Sequence, residues 1–327
     1  MSENKEIILS LKDVVSEYTQ SGEVIHAVNG VSLDLKKGSA LGLVGETGAG
    51  KTTIAKSILR ILPDPGGRLV SGSIRMDGVE LTELSEDEMR HYRGDKIAMI
   101  FQDPMTALNP LMTVGEQIME IIQIHNRDMK REEAEKRANE MLELVGIPTE
   151  RSVEYPHQFS GGMKQRVVIA MALACNPEII LADEPTTALD VTIQAQVLDL
   201  IKELREKYQT SMILITHDLG VVAETCEDVA VIYAGEIIEY GSKRDIFKNP
   251  QHPYTLGLFG SLPNMAEKSA RLKPIPGMPP DPANLPSGCK FHERCPRAAE
   301  ECASNAVGLH EVTPGHFCRC CRLGKED

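Results

Sequence analysis

Three observations predict an α/β fold with a buried sheet and helical crossovers. Five short apolar runs with few charges recur along the chain, at Ala40–Val44 and residues 97–101, 179–182, 212–216 and 229–233. Strands buried on both faces read this way. Helical patterns separate the runs, as crossovers require. A glycine-rich loop joins the first run to a helical segment at residues 53–62.

That loop reads Gly45-Glu46-Thr47-Gly48-Ala49-Gly50-Lys51-Thr52, with Thr53 behind it. Strand, G-x4-G-K-T and helix together form the setting of a phosphate-binding loop. Glycines let backbone amides turn inward toward a β-phosphate, and the helix N-terminus favours the anion. Lys51 would reach the β- and γ-phosphates, and Thr52 would ligate Mg2+. The bland alternative is a glycine-rich turn.

The run at 97–101 ends at Gln102, whose amide could touch Mg2+ or an attacking water; a surface glutamine is the default. About sixty residues with helical periodicity and many charges follow. Ala134, Ala138, Met141, Leu142 and Val145 form one apolar stripe, closed by Gly146 and Pro148. Tyr155-Pro156-His157-Gln158-Phe159 leads into Ser160-Gly161-Gly162, a second loop of bare amides opening a helix. One chain needs one phosphate cradle for one nucleotide, so the second loop suggests that two chains share each nucleotide. The run at 179–182 ends in Asp183-Glu184. Asp183 could meet the metal shell, and Glu184 could polarise the attacking water; a helix cap is the structural alternative. Ile193, Val197, Leu200, Ile201 and Leu204 form a second stripe after a candidate N-cap at Asp190. His217 follows the run at 212–216 and could hydrogen-bond a γ-phosphate, although a lone histidine after a strand is more often structural.

The texture changes near residue 240. Residues 273–286 hold six prolines, which excludes helix interior and central strand and leaves an extended arm. Six of the eight cysteines then crowd the C-terminal end: Cys289, Cys295, Cys302, Cys318, Cys320 and Cys321. In a cytosolic chain, clustering favours a metal over disulfides. The spacing Cys289-x5-Cys295-x6-Cys302 is wide for zinc and suits an iron–sulfur cluster, with Cys295-Pro296 as in ferredoxin-type ligation. Zinc stays open, and Cys318, Cys320 and Cys321 compete to be the fourth ligand. Such a group would be a structural staple on an arm with little core of its own; nothing specific supports a redox sensor.

The chain has 327 residues, more than one average domain, and is 42% hydrophobic, enough for a sizeable core. Aromatics make up 4%, Trp is absent and the net charge is -13, which argues against a nucleic-acid partner. The longest apolar run, residues 167–175, ends at Asn176-Pro177, short of the roughly 18 residues of a membrane span. The N-terminus is too polar for a signal peptide. A cytosolic chain is expected, with any membrane link made through a partner.

The phosphate loop, Gln102, Ser160-Gly161-Gly162, Asp183-Glu184, Asp190 and His217 stand in the order and spacing of ATP-binding-cassette ATPases, which residues from about 9 to 241 resemble. The resemblance implies a RecA-like core, an antiparallel β subdomain and a helical subdomain at about 103–160 that docks on transmembrane subunits, opening at Leu108-Asn109-Pro110-Leu111-Met112-Thr113. It also implies that Ser160-Gly161-Gly162 caps the γ-phosphate held by the other subunit, that Ala188-Leu189-Asp190 lies along the dimer seam, and that Tyr18 stacks on adenine. Mg2+ would be held through Thr52, Gln102 and Asp183, with Glu184, His217 and Gln102 serving hydrolysis. Met163 stands where the signature often has Gln.

The tail, with His252-Pro253-Tyr254-Thr255, Pro274-Ile275-Pro276-Gly277-x-Pro279-Pro280, Gly288-Cys289 and Arg294-Cys295-Pro296, is similar to the C-terminal extension of dipeptide and oligopeptide permease ATPases. Some members carry a [4Fe-4S] cluster there, and their final His-x3-Cys pattern implies Cys320 as fourth ligand beside Cys289, Cys295 and Cys302. The implied organisation is an ATPase domain at 1–241 and an extension at 242–327. The implied role is the ATP-hydrolysing subunit of a peptide importer on the cytoplasmic face of the membrane. Its partners would be a second, paralogous ATPase, two permease subunits and, indirectly, an extracytoplasmic peptide-binding protein. A nickel or other small-solute importer is the nearest alternative. A soluble cassette ATPase acting on nucleic acid or ribosomes, or an iron–sulfur redox enzyme that binds ATP, are more distant ones.

Overall fold

The computed structural model describes residues 6–187, 189–261, 274–304 and 306–324. They gather into two compact units that interleave along the chain. One comprises residues 6–9, 34–40 and 75–216; the other comprises 10–33, 41–74 and the described residues from 217 onward.

In the first unit, strands Ile97–Ile100, Ile179–Asp183 and Ser211–Thr216 pair in parallel, with Ile97 opposite Ile179 and Ile179 opposite Ser211. All their residues are buried, which is why the runs are continuously apolar. Phe101, expected to close the first strand, lies beyond it. Parallel neighbours need long crossovers. One is helix Val191–Tyr208, which begins where the Asp190 carboxylate accepts the Ile193 N–H at 3.0 Å and stops at Gln209 in the left-handed region. Val197, Ile201 and Leu204 are buried along it; Ile193 and Leu200 are only partly so.

The other crossover carries the helical insertion. Helix Val114–His125 opens with a reciprocal capping box between Thr113 and Glu116. Helix Arg131–Leu144 buries Ala134, Ala138, Met141 and Leu142, with Val145 buried behind them, and ends before Gly146 at φ 75°. Both pack against helix Gly161–Leu173, which in turn packs on strand Ile97–Ile100.

The second unit holds most of three long strands, Ile7–Gln20, Glu23–Lys36 and Gly67–Met76, with the first in the middle. Ser21 and Gly22, both at positive φ, make the tight turn between the first two. Strand Ala40–Val44 runs parallel to Asp228–Tyr233, Leu41 opposite Asp228. The hairpin at Ala234-Gly235 then returns the chain as antiparallel strand Glu236–Ser242. Helix Lys51–Leu59 starts two residues earlier than the periodicity predicts and stops at Arg60, which adopts φ 52°.

The tail belongs to this unit. Strand Glu236–Ser242 pairs with His316–Cys318, which pairs with His310–Thr313. From Pro274 to the short turn at His292–Arg294 the backbone holds no helix or strand, as its prolines dictate. The segment draws its core from earlier residues of the unit: Phe291 packs edge-on against Tyr233 and Tyr254, ring centres 5.2 and 5.3 Å away, and all three are fully buried.

Candidate nucleotide site

The phosphate loop leaves strand Ala40–Val44 and enters helix Lys51–Leu59 through Gly50, which caps the helix at φ 103°. A side chain at Gly50 would meet the Ala27 carbonyl oxygen at 2.3 Å, and one at Gly45 would meet that of Ile232 at 2.3 Å. Both positions therefore demand glycine. The Gly235 N–H donates to the Ala49 carbonyl at 3.0 Å and ties the loop to the neighbouring hairpin. Lys51 is buried, and its Nζ donates to the carbonyls of Gly45 and Glu46 at 2.8 and 3.0 Å, closing the loop on itself. Tyr18 Oη donates to Thr53 Oγ1 at 3.0 Å, which places the ring beside the first turn of this helix.

Sequence reasoning missed what lies behind the loop. Glu46 is held at every polar group. Its N–H donates to Tyr254 Oη at 2.9 Å, its carbonyl accepts Lys51, and its carboxylate meets the Arg294 guanidinium in a two-pronged pair at 2.8 and 3.0 Å. Arg294 also donates to Tyr233 Oη and to the Pro276 carbonyl, and its side chain is 6% exposed. The Glu46 hydrogen bonds, outweighing burial, hold the guanidinium well above its usual range. Burial pushes the Tyr254 and Tyr233 phenols up. The Pro282 carbonyl accepts the His26 N–H, so the proline arm and residues 46–49 wall a cavity of about 160 Å³.

The carboxylates of the predicted site lie in the other unit. Asp183 ends its strand buried. Glu184 adopts φ 45°, a conformation uncommon outside glycine, fixed by its N–H on the Ile215 carbonyl at 2.9 Å. Its Oε2 accepts from Gln102 Nε2 at 3.1 Å and from Thr187 Oγ1 at 2.7 Å. Gln102 and Glu184, 82 residues apart, are thus brought together at adjacent strand ends. Ser160 caps helix Gly161–Leu173 by accepting the Met163 N–H at 3.4 Å. A side chain at Gly162 would strike Ile193 Cγ2 at 2.4 Å, so packing excludes one; at Gly161 the nearest atom would be 3.8 Å away. Asp190 is engaged as a helix cap, Ala188 lies outside the described residues, and His217 is exposed just before the cap at Asp218.

The cysteine expectation fares less well. Among the described residues, no group of three or more His, Cys, Asp or Glu is arranged to hold a metal ion. The expected set of Cys289, Cys295, Cys302 and Cys320 is therefore not preassembled. Cys302 Sγ lies 3.5 Å from Cys321 Sγ, one of the three thiols that compete to be the fourth ligand. Cys318 is fully buried on the strand beside Glu239. Chiefly through burial, the thiols of Cys289 and Cys321 are pushed up to about 11, and those of Cys295 and Cys320 are raised too. Neighbouring sulfurs add to this: Cys289 feels the charge of Cys295, Cys302 and Cys320, Cys295 that of Cys302 and Cys320, and Cys320 that of Cys302. Thiols in that condition stay protonated until a cation draws them together.

Comparison with known proteins gives the site its context. Residues 28–187 match the family described as ABC transporter, and residues 238–302 match the oligopeptide/dipeptide transporter C-terminal region. The chain is 52% identical over 317 residues to a dipeptide transport ATP-binding protein of Bacillus subtilis, covering 96% of this chain and 94% of that one. It is 46% identical over 317 residues to an oligopeptide transport ATP-binding protein of Salmonella typhimurium, covering 96% and 93%. Among solved structures it is similar to a dimeric ATP-binding cassette in a post-hydrolysis state bound to ADP and Pi, with 33% identity and a TM-score of 0.65 over 72% of this chain and 99% of that one.

Proposed function

The chain belongs to the ATP-binding-cassette family of transporter ATPases, and from that premise we propose that it is the ATP-hydrolysing subunit of a dipeptide or oligopeptide importer. One observation carries the cargo class. The phosphate loop and a tail matching the oligopeptide/dipeptide transporter C-terminal region occur in one chain, and relatives of nearly the same length are peptide transport proteins.

In this reading the amides of residues 47–52 and the Lys51 ammonium gather the phosphates of ATP, with Tyr18 beside the base. Thr52, Asp183 and Gln102 would hold Mg2+, which would neutralise charge on the phosphates. Glu184 orients and takes a proton from the attacking water. Its left-handed backbone and its bond from Thr187 fix the carboxylate, and Gln102 holds the same oxygen until substrate arrives. His217 donates to the γ-phosphate. Such positioning and electrostatic stabilisation supply most of the rate in phosphoryl transfer. Ser160, Gly161 and Gly162 cap the γ-phosphate of a second ATPase subunit, an arrangement supported by the dimeric state of the cassette that this chain resembles.

Among the described residues no helix is long and apolar enough to cross a membrane. Contact with permease subunits is assigned to the helical insertion, supported by exposed Met105, Leu111, Val153 and Tyr155 on its surface. The cysteines at 289, 295, 302 and 320 are assigned to a [4Fe-4S] cluster, with zinc as the alternative; either would cross-link the tail. Iron and sulfide analysis with visible spectra after anaerobic purification decides between them, and colourless protein with stoichiometric zinc defeats the cluster. For the main proposal, the chain is co-purified with its membrane subunits and peptide uptake is followed in proteoliposomes. Uptake that persists without this chain defeats the importer assignment.

A further inference from the structure

A carboxylate is the wrong charge for a loop built to gather phosphate, yet Glu46 stands second in that loop. The conflict is resolved from 248 residues away, where the Arg294 fork covers both carboxylate oxygens. We propose that Arg294, on the C-terminal extension, is a positioning residue for nucleotide binding, which cancels the charge of Glu46 and holds the phosphate loop open to ATP.

Three features support this role. First, the pair is two-pronged, with Arg294 buried between Tyr233, Phe291 and the Pro276 carbonyl while the Glu46 side chain stays 27% exposed, so the guanidinium is the fixed half of the pair. Second, Lys51 touches the Glu46 carbonyl. An uncompensated carboxylate one residue after Gly45 would compete for that ammonium and repel the incoming phosphates. Third, the Glu46 N–H is spent on Tyr254, so its peptide and its side chain are both oriented by residues of the extension. Buried ion pairs are weak evidence for added stability, and removing one partner strands the other. The charge balance of the loop is therefore the property at stake.

The inference rests on the assignment of residues 45–52 as the ATP site, and the experiment separates the two. Equilibrium ATP binding is measured on the full chain at low and high salt. Wild-type protein that binds no ATP, or that binds it unchanged after Lys51→Ala, removes the ATP-site assignment itself. Given binding that needs Lys51, Arg294→Met is expected to raise Kd about tenfold at low salt, with part of the loss recovered at high salt. Glu46→Gln, with Arg294 intact, is expected to bind ATP at least as tightly as wild type. Glu46→Gln combined with Arg294→Met is expected to return Kd to within about threefold of wild type. A strut without an electrostatic role predicts the opposite, that Glu46→Gln weakens binding and the double variant is no better than Arg294→Met. Either result overturns the proposal, and so does an Arg294→Met Kd within twofold of wild type. Should Arg294→Met fail to fold, Glu46→Gln alone still decides.

Discussion

Replacing Phe291 by alanine is expected to loosen the seating of the C-terminal extension while leaving the rest of the fold standing. The ring is 1% exposed and lies edge-on to Tyr233 and Tyr254, with His252 5.8 Å away. Truncating a buried Phe to Ala costs about 3–5 kcal/mol in transfer and cavity terms. Aromatic pairs add about 0.5–1.5 kcal/mol each beyond their burial. The site cannot collapse easily, because Tyr233 is fixed in a strand and Tyr254 in a helix, which argues for the upper half of that range. Phe291→Leu keeps most of the volume and should cost less than about 1.5 kcal/mol. Hydrogen exchange resolved by segment is the assay of choice, since a chain of this size need not unfold in one step. Protection should drop at residues 289–304 in Phe291→Ala, with the strands at 97–100 and 179–183 unaffected. A loss below about 1 kcal/mol, or equal losses for Ala and Leu, would refute the view that this ring anchors the tail.

Other outcomes follow from single contacts. Glu184→Gln should lower ATP turnover by about 100-fold or more while the ATP-bound dimer accumulates in gel filtration; unchanged turnover removes Glu184 from the chemistry. Gly162→Ala would place a methyl 2.4 Å from Ile193 Cγ2 and is expected to cost about 1–3 kcal/mol in denaturant titrations, part of which Ile193→Ala in the same chain, by removing that methyl, should recover. His252 is buried and capped onto the Tyr254 N–H, and burial pushes its pKa down to about 3. Above pH about 6.5 it is neutral folded and unfolded, so it adds no pH dependence there. Below that the unfolded chain takes up a proton that the folded chain refuses, and stability falls by about 1.4 kcal/mol per pH unit down to the folded pKa. His252→Asn, which can still cap, should flatten the slope between pH 6.5 and 5; identical slopes would refute the assignment.

The five buried strands were legible because a strand covered on both faces has no polar positions to disguise it. The phosphate loop was legible because its glycines answer to contacts that admit nothing larger, as at Gly45 and Gly50. Glu184 could be named from its place after a strand, but its left-handed backbone and its bond with Gln102 could not, since they depend on strands 82 residues apart becoming neighbours. The long antiparallel strands entered only through resemblance. Their burial alternates irregularly, as in Ile7–Gln20, where polar and half-buried residues interrupt any period of two. The tail was the least legible. Its prolines announce an irregular backbone, yet nothing local shows that Phe291 completes an aromatic cluster begun at Tyr233, or that Arg294 answers Glu46. Cysteine spacing, likewise, says which thiols are near in sequence and not that Cys302 and Cys321 sulfurs approach to 3.5 Å.

Coupling between two sites runs equally in both directions. Whatever factor the seated tail contributes to ATP affinity through Glu46, ATP must return to the tail by favouring the seated state. Nucleotide should therefore shield residues 274–304 from protease, and a chain cut after residue 241 should be left with a carboxylate in its phosphate loop and no cation to meet it.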